Sequence, residues 1–327
     1  MRLTVNPVLA REVKERMRGL WTFVVLMVFL GLLTLTVWVA HAATRSYDPF
    51  SFDLERQTRL GRDLFEWVLT IMIVLVMFFV PGLTAGAVAG ERERQTLLPL
   101  QITLLKPRHI LWGKVMASLA FLTLLEVASL PVLAVAYRLG GVTVADLVAG
   151  LAAVLVVGVL LATMIVGISS FAKRVQTATL LAYGFTMVVA VGSFVVAGVA
   201  SVVDSNRGFD PSDPPAALLL PNPIVFAAVA TAGENIDSGD GPLQALRQLV
   251  RDTHRANGGW WLGDGEVADG FDPNGGFVFV DDDGFLVDSP GPTTSAALMS
   301  FGSLAALAVA LFALGCRRLR TPAETER

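Results

Sequence analysis

The sequence predicts an all-α integral membrane protein with six transmembrane helices, an N-terminal amphipathic helix and a small extracytoplasmic insert. Apolar residues make up 54% of the 327 residues and charged residues 16%, whereas soluble domains average roughly 45–50% and about 25%. A transmembrane helix needs about 20 predominantly apolar residues to cross the bilayer core. Six such runs occur, five uncharged and one interrupted only by Glu126: 20–40, 67–89, 115–137, 147–172, 176–203 and 295–316.

The distribution of Lys and Arg predicts how these spans are oriented. Cytoplasmic loops of membrane proteins carry an excess of Lys and Arg. One side of the predicted bundle holds sixteen Lys and Arg in 58 residues, in the segments 1–19, 90–114, 173–175 and 317–327. The two short segments on the other side, 41–66 and 138–146, hold five in 35 residues. Both termini are therefore predicted to be cytoplasmic, in a multi-pass protein of the cytoplasmic (inner) membrane.

Residues 1–19 are predicted to form a cytoplasmic amphipathic helix. Asn6 can cap such a helix, and Pro7 fits its first position, where no intrahelical partner is lost. Apolar residues recur from Leu9 at i, i+4, i+8 and i+11, while charged residues fill the other faces. A helix of this kind lies in the headgroup layer, with its basic face toward the cytoplasm or a partner. The alternative is a basic flank that only orients the first span.

The segment between the second and third spans, "GERERQTLLPLQITLLKPRHILWGK" at 90–114, is unusually charged and contains two prolines. Its four charges at 91–94 are expected in water or against another protein. Thr96 can cap a short apolar helix in which Pro99 falls within the first turn, where a missing N–H is tolerated. Lys106 and Pro107 then end this piece and begin the third span. A loop that only joined two spans would need no such apolar surface.

"NPVLAREVKERMRG" ahead of the first span and the segment 90–114 together resemble the permease subunit of type-2 ABC transporters. The matches in kind and spacing are Gly90, Glu91, Glu93, Thr96, Leu97, Pro107, Ile110, Leu111, Gly113 and Lys114. Gln95 departs from this pattern where Gly is common, and Leu98-Pro99 departs where Glu-Leu is common. The six-span layout and the long outer segment before the last span extend the resemblance to most of the chain.

The resemblance implies two cytoplasmic elements that contact a separate ATPase subunit. The first is an interface helix, for which the candidate residues are Asn6, Pro7, Arg11, Glu12 and Arg16. The second is a coupling helix within 90–114, for which the candidate residues are Glu91, Arg92, Glu93, Arg94, Thr96, Leu97, Leu98 and Leu100.

Two features within the spans have competing interpretations. Gly82, Gly86 and Gly90 form a small-xxx-small ladder that lets another helix approach closely, either in a second copy of the protein or within the same chain. Glu126 lies at the centre of its span, where a charge is costly. Its role is either in a translocation path or gate, or in a structural hydrogen bond inside the bundle.

The segment 204–294 has an outer-face composition, with fifteen acidic residues against four Arg up to residue 293. Near 216–232 an apolar stretch broken by Pro221 and Pro223 is too short to span, and a re-entrant or interfacial helix is predicted. Around Asp283-Gly284, alternating apolar and acidic residues predict a β-hairpin. The acidic residues lack the ligand spacing of an EF-hand.

The other outer segment, 41–66, is predicted to be a helix or loop with no catalytic or binding role.

Several functions are excluded by what the sequence lacks. No G-x-x-x-x-G-K-[ST] motif occurs, so this chain is not expected to bind and hydrolyse nucleotide itself. The three histidines, His41, His109 and His254, fall on both sides of the membrane, so no metal site is expected. No catalytic residue, cofactor or nucleic-acid partner is predicted.

The resulting expectation is a permease subunit of an ATP-driven exporter, embedded in membrane lipid. It would dimerise with a second copy or a homologue and pair with cytoplasmic ABC ATPase subunits. Two alternatives stay open at this point. One is a membrane scaffold whose acidic outer segment binds a partner without transport, and the other is a proton-coupled carrier that uses Glu126.

Overall fold

A computed structural model describes residues 20–45, 54–95, 107–205, 219–231, 241–256, 267–271, 277–280, 286–287 and 292–319. The predicted interface helix at 1–19 and the cytoplasmic tail from 320 lie outside these residues. So do Thr96, Leu97, Leu98, Pro99 and Leu100 of the predicted coupling helix.

The described part of the chain is dominated by long apolar helices. In order they are α1 (Leu20–Arg45), α2 (Leu54–Thr84), α3 (Gly86–Glu93), α4 (Pro107–Leu139), α5 (Val144–Ser169), α6 (Val175–Met187), α7 (Ser193–Ser205), α8 (Pro223–Ala230), α9 (Pro242–Ala256) and α10 (Pro292–Arg318). A π-helix, Val188–Gly192, joins α6 to α7.

Five stretches of the described residues are long and apolar enough to cross a membrane: Thr58–Glu93, Arg108–Leu139, Val144–Ser169, Val175–Val199 and Ala296–Arg318. The apolar stretch Phe23–Val39 of α1 is shorter. A multi-pass helical membrane protein is therefore confirmed, while the sixth span stays a prediction.

The chain divides into two compact units, and the first comprises 1–188 and 305–327. Its core lies where α2, α4 and α5 pack against one another, with α1 alongside α2 and α4. Helix α5 is apolar on all sides, and its buried residues lie from Gly150 to its end, as expected where a helix is surrounded by others. Fully buried side chains such as Met72, Val115 and Leu161 fill this core.

Helices in the first unit extend beyond the apolar runs that predicted the spans, because charged residues do not end a helix. Helix α2 begins at Leu54 rather than near Trp67, so residues 54–66 belong to it and do not form a separate outer element. Helix α5 begins at Val144, where Thr143 and Asp146 form a reciprocal capping box. The preceding turn uses Gly140 and Gly141 at φ values of 92° and 78°, a region that favours glycine.

The second unit comprises Val189–Leu304. A small apolar cluster, which includes Leu219, Val225, Val229 and Val250, packs α8 against α9. Where an interfacial or re-entrant helix was expected near 216–232, α8 is only eight residues long and begins after Asn222, with Pro223 in its first turn. Its position relative to a bilayer stays a prediction.

The same unit contains three antiparallel strands in the order β1-β2-β3: Val267–Phe271, Phe277–Val280 and Leu286–Val287. The pairing of Val280 with Leu286 confirms the predicted hairpin. Strand β1, which pairs through Val267 with Phe279, is not among the predicted elements, because "VADGF" is too short and too weakly patterned. The strands are confined to this outer segment, and the other described elements are helical.

Candidate functional site

The candidate site lies around α3, a two-turn helix that follows α2 directly. It contains three of the predicted coupling residues, Glu91, Arg92 and Glu93, and it contacts α5 and α6 of the same unit. We call the break between α2 and α3, with the side chain that fills it, the Ala85 joint. We call the contacts of Glu91, Arg92 and Glu93 the α3 anchor.

The Ala85 joint is a helix interruption filled by a serine from another helix. The buried Oγ of Ser169, at the end of α5, donates to the Ala85 carbonyl at 2.5 Å. The same oxygen accepts from the backbone N–H groups of Val88 and Ala89, each at 3.2 Å. The Ala85 side chain cannot cap α3, so Ser169 satisfies donors of its first turn, as a capping side chain would. Pro81 lies one turn earlier and weakens the ladder further.

The α3 anchor begins with an ion pair between Glu91 and Lys114. The ammonium Nζ of Lys114 lies 2.8 Å from Oε1 of Glu91. The Lys114 side chain is only 2% exposed and that of Glu91 26% exposed, so Lys114 is held away from water with a carboxylate beside it. A buried charge is costly unless it is paired. This pair therefore fixes the end of α3 to the start of α4.

Two further contacts join α3 to the turn between α5 and α6. Nη1 of Arg92 donates to the Ala172 carbonyl at 3.1 Å. Oε2 of Glu93 accepts from the backbone N–H of Val175 at 2.9 Å. Val175 is the first residue of α6, whose N-cap residue Arg174 makes no side-chain cap. A carboxylate at a helix N-terminus complements both the unpaired N–H groups and the helix dipole.

The residues that follow are arranged differently. Arg94 and Gln95 are exposed, and their N–H groups close the end of α3 by donating to the carbonyls of Gly90 and Arg92. Gln95 has a φ of 58°, in the left-handed region that is common just after a helix and favours glycine. The geometry gives a physical reason for the glycine that the resembling sequences commonly carry here.

The expectation that all four charges at 91–94 face water or another protein is thus wrong for the two that are partly buried, Glu91 and Arg92. Glu91, Arg92 and Glu93 make contacts within the chain, although Glu93 is also exposed. The interface-helix candidates and the coupling candidates from Thr96 onward lie outside the described residues.

The glycine ladder faces α6 of the same chain. A Cβ added at Gly86 or Gly90 would lie 3.6 Å from a methyl group of Val175, and one at Gly82 would lie 2.8 Å from the hydroxyl of Tyr183. That hydroxyl donates to the Phe78 carbonyl at 3.0 Å. This geometry favours packing within the chain over a seam between copies.

Glu126 is remote from the α3 anchor. It lies twelve residues after Lys114 on α4, roughly 18 Å along a helix that rises 1.5 Å per residue. Its side chain is buried, and among the described residues no hydrogen-bond partner reaches its Oε1. No cluster of three or more potential metal-ligating side chains occurs in the part of the chain that the structure describes.

Ser169 and Val175 were not among the predicted site residues, and Lys114 was noted only as part of a motif. A single serine in an apolar helix carries no distinguishing signal. Lys114 has the position of an ordinary basic residue beside a span, and its partner Glu91 is 23 positions away. Only the packing of α3 against α4, α5 and α6 brings these groups together.

Comparison with known proteins identifies the family. A family model described as ABC-2 family transporter protein matches residues 39–317, which span every described helix and strand from the end of α1 to the end of α10. A comparison with curated proteins finds no match. With its long apolar helices and this match over most of its length, the chain belongs to the ABC-2 family of membrane transport permeases.

Proposed function

We propose that this permease is the membrane subunit of an ATP-driven exporter and that a separate ABC ATPase binds beside the exposed end of α3. Permeases of the ABC-2 family typically pair with such an ATPase. The observation that supports this docking position is the contrast along five residues. Glu91 to Glu93 are tied to other helices of the chain, whereas Arg94 and Gln95 are exposed.

This arrangement suits transmission of force. A partner that pushes on the exposed residues would act on a helix whose end is bonded to α4, to the Ala172 carbonyl and to the start of α6. Movement of α3 would therefore be shared by three spans rather than absorbed by a flexible loop. In this proposal the candidate residues from Thr96 to Leu100 and the N-terminal interface helix complete the ATPase contact.

The rest of the assembly follows from the same proposal. Two permeases, identical or homologous, enclose the pathway in the cytoplasmic membrane, and both termini face the cytoplasm. ATP binding and hydrolysis occur on the ATPase subunits, and this chain supplies the pathway.

Co-purification of the ATPase tests the docking position. The variant Arg94→Glu reverses an exposed charge at the end of α3. The matched control Arg138→Glu reverses an exposed charge at the opposite end of α4. We expect the tagged Arg94→Glu permease to retain less than a tenth of the ATPase that the wild type retains from detergent-solubilised membranes, and Arg138→Glu to retain all of it. Equal retention by both variants would contradict the proposal.

A second candidate function rests on Glu126, whose buried Oε1 has no hydrogen-bond partner among the described residues. A buried acid in a span is typical of proton relays as well as of structural contacts. A proton-coupled carrier predicts that Glu126→Gln abolishes transport and that ATP is dispensable. Transport that requires ATP and survives Glu126→Gln would exclude it, and absence of transport under every condition would favour the scaffold alternative.

A further inference from the structure

The hydrogen bonds at the Ala85 joint have an alternative pairing within α2 and α3. In a continuous helix the Ala85 carbonyl accepts from the N–H of Ala89, four residues on. In the structure both of these groups bond to the hydroxyl of Ser169. The Val88 N–H, which also bonds to Ser169, would pair with the carbonyl of Thr84 in a continuous helix. The same backbone groups are thus satisfied in two different ways.

The backbone at Ala85 is already helical. Ala85 has φ −57° and ψ −40°, values that already belong to a right-handed α-helix. Its N–H still donates to the Pro81 carbonyl at 2.9 Å, as it would in an unbroken helix. The interruption therefore results from an inserted hydroxyl and not from a turn, which is a recognised cause of helix kinks.

Ser169 also keeps a hydrogen bond in the second pairing. A serine or threonine within a helix can donate to the carbonyl four residues earlier. Thr163 of the same helix does so, donating to the Val159 carbonyl at 2.7 Å. Once withdrawn from the joint, the Ser169 hydroxyl can donate to the backbone carbonyl of Ile165, four residues earlier in α5. The continuous pairing gives the Thr84 carbonyl the N–H of Val88 as a donor and leaves Ser169 a carbonyl within its own helix, so hydrogen bonding does not oppose the exchange.

We propose that Ser169 is an exchangeable cap: its hydroxyl holds α2 and α3 apart, and its withdrawal joins them into one continuous helix. Because α3 carries the α3 anchor, the exchange tilts Glu91, Arg92 and Glu93 together. An α3 of eight residues is about 12 Å long, so a kink of about 20° displaces its far end by about 4 Å. Ser169 is a positioning residue in this account. Only the further claim that the ATPase drives the exchange rests on the proposed function.

Distances between spin labels test the exchange directly. One label replaces the exposed Arg94 after α3, and the other replaces the exposed Val148 near the far end of α5, in a Cys316→Ala background diluted with unlabelled protein. The variant Ser169→Ala removes the inserted hydroxyl. The control Ser170→Ala removes a neighbouring, equally buried hydroxyl just after α5 that donates back to the Gly167 carbonyl of that helix at 2.6 Å.

We expect Ser169→Ala to shift the main distance by up to about 4 Å into one new population, and Ser170→Ala to keep the wild-type distribution. An unchanged distribution in Ser169→Ala would overturn the proposal, because Ser169 would then be a static contact. If Ser169→Ala does not fold, Ser169→Cys replaces it. Its weaker hydrogen bonding should give both populations together, and a wild-type distribution in this variant would equally overturn the exchange.

The measurement separates this inference from the proposed function. A shift in Ser169→Ala without any ATPase present supports the exchange even if Arg94→Glu retains its ATPase. Conversely, loss of the ATPase from Arg94→Glu with no distance change in the Ser169 variants supports the docking position and rejects the exchange.

Discussion

Each of the two units has an irregular helix whose backbone is bonded by a polar side chain from elsewhere in the chain. In the first unit the Ala85 joint holds the hydroxyl of Ser169. In the second, the π-helix, all but its first residue of which belongs to this unit, receives Asn222, which is fully buried. Its Nδ2 donates to the Ala190 carbonyl at 2.8 Å and to the Ser193 hydroxyl at 2.7 Å.

The two joints differ in how readily they can be undone. At the Ala85 joint the freed backbone groups can pair with each other while every residue keeps its place. A π-turn contains an additional residue per turn, so its removal shifts the register of the helix that follows. Asn222 also accepts from the N–H of Ile224 at 2.8 Å and so begins α8. The first joint is therefore suited to exchange, and the second to holding a fixed geometry.

The surroundings of α8 reinforce this difference. At its other end the buried Arg247 donates from Nε to the Ala228 carbonyl at 2.7 Å and from Nη2 to the Thr231 hydroxyl at 3.0 Å. A cation at a helix C-terminus complements its dipole and its unpaired carbonyls. Helix α8 is thus fixed at both ends, whereas α3 combines an exchangeable beginning with the α3 anchor at its end.

The largest expected effect follows from removing the contacts that Asn222 makes with the π-helix and α8, which we call the fixed joint. Asn222→Ala removes the bonds that Asn222 makes to the buried Ala190 carbonyl and to the partly buried Ile224 N–H, and each unsatisfied buried group costs about 1–3 kcal/mol. We expect the free energy of unfolding in mixed micelles to fall by about 3 kcal/mol. The control Ser303→Ala removes a partly buried hydroxyl that bonds within α10. If Asn222→Ala lost no more stability than this control, the fixed joint would be incorrectly described.

A smaller effect is expected from the α3 anchor. Lys114→Met leaves Glu91 without its ammonium partner, and because Glu91 is partly exposed we expect a loss of about 2 kcal/mol rather than the full cost of breaking a buried pair. The double variant Glu91→Gln with Lys114→Met removes both charges and should recover part of this loss. Chemical unfolding of the wild type, the two single variants and the double variant measures the coupling between the two side chains. Additive losses would show that the two side chains do not interact energetically.

The smallest effect concerns the end of α3. Gln95→Gly removes a side chain from a left-handed backbone position but adds flexibility to the unfolded chain, so the net gain in stability should be about 0.5 kcal/mol. Arg94→Gly is the control, because Arg94 has a φ of −81° and gains nothing from glycine. We expect it to lose a similar amount. Equal changes in both variants would mean that the conformation of Gln95 carries no strain.

The sequence predicts the long helices well and the joints poorly, for a physical reason. About 20 consecutive apolar residues suffice to identify a span, and this requirement is local. Asn222 is partly visible, since an asparagine between Pro221 and Pro223 is typical of a helix start. Ser169 is not, because its role depends on a helix break 84 positions away. The pairing of Lys114 with Glu91 likewise depends on how α3 packs against α4.

The central claim, that an ABC ATPase docks beside the exposed end of α3, is tested most directly by site-specific photo-crosslinking in native membranes. A photoreactive amino acid replaces Arg94 in one protein and Arg138 in the other, and mass spectrometry identifies what each captures. We predict that position 94 captures a protein with a phosphate-binding G-x-x-x-x-G-K-[ST] motif and that position 138 does not. Capture of that protein at neither position, although it co-purifies with the permease, would contradict the claim.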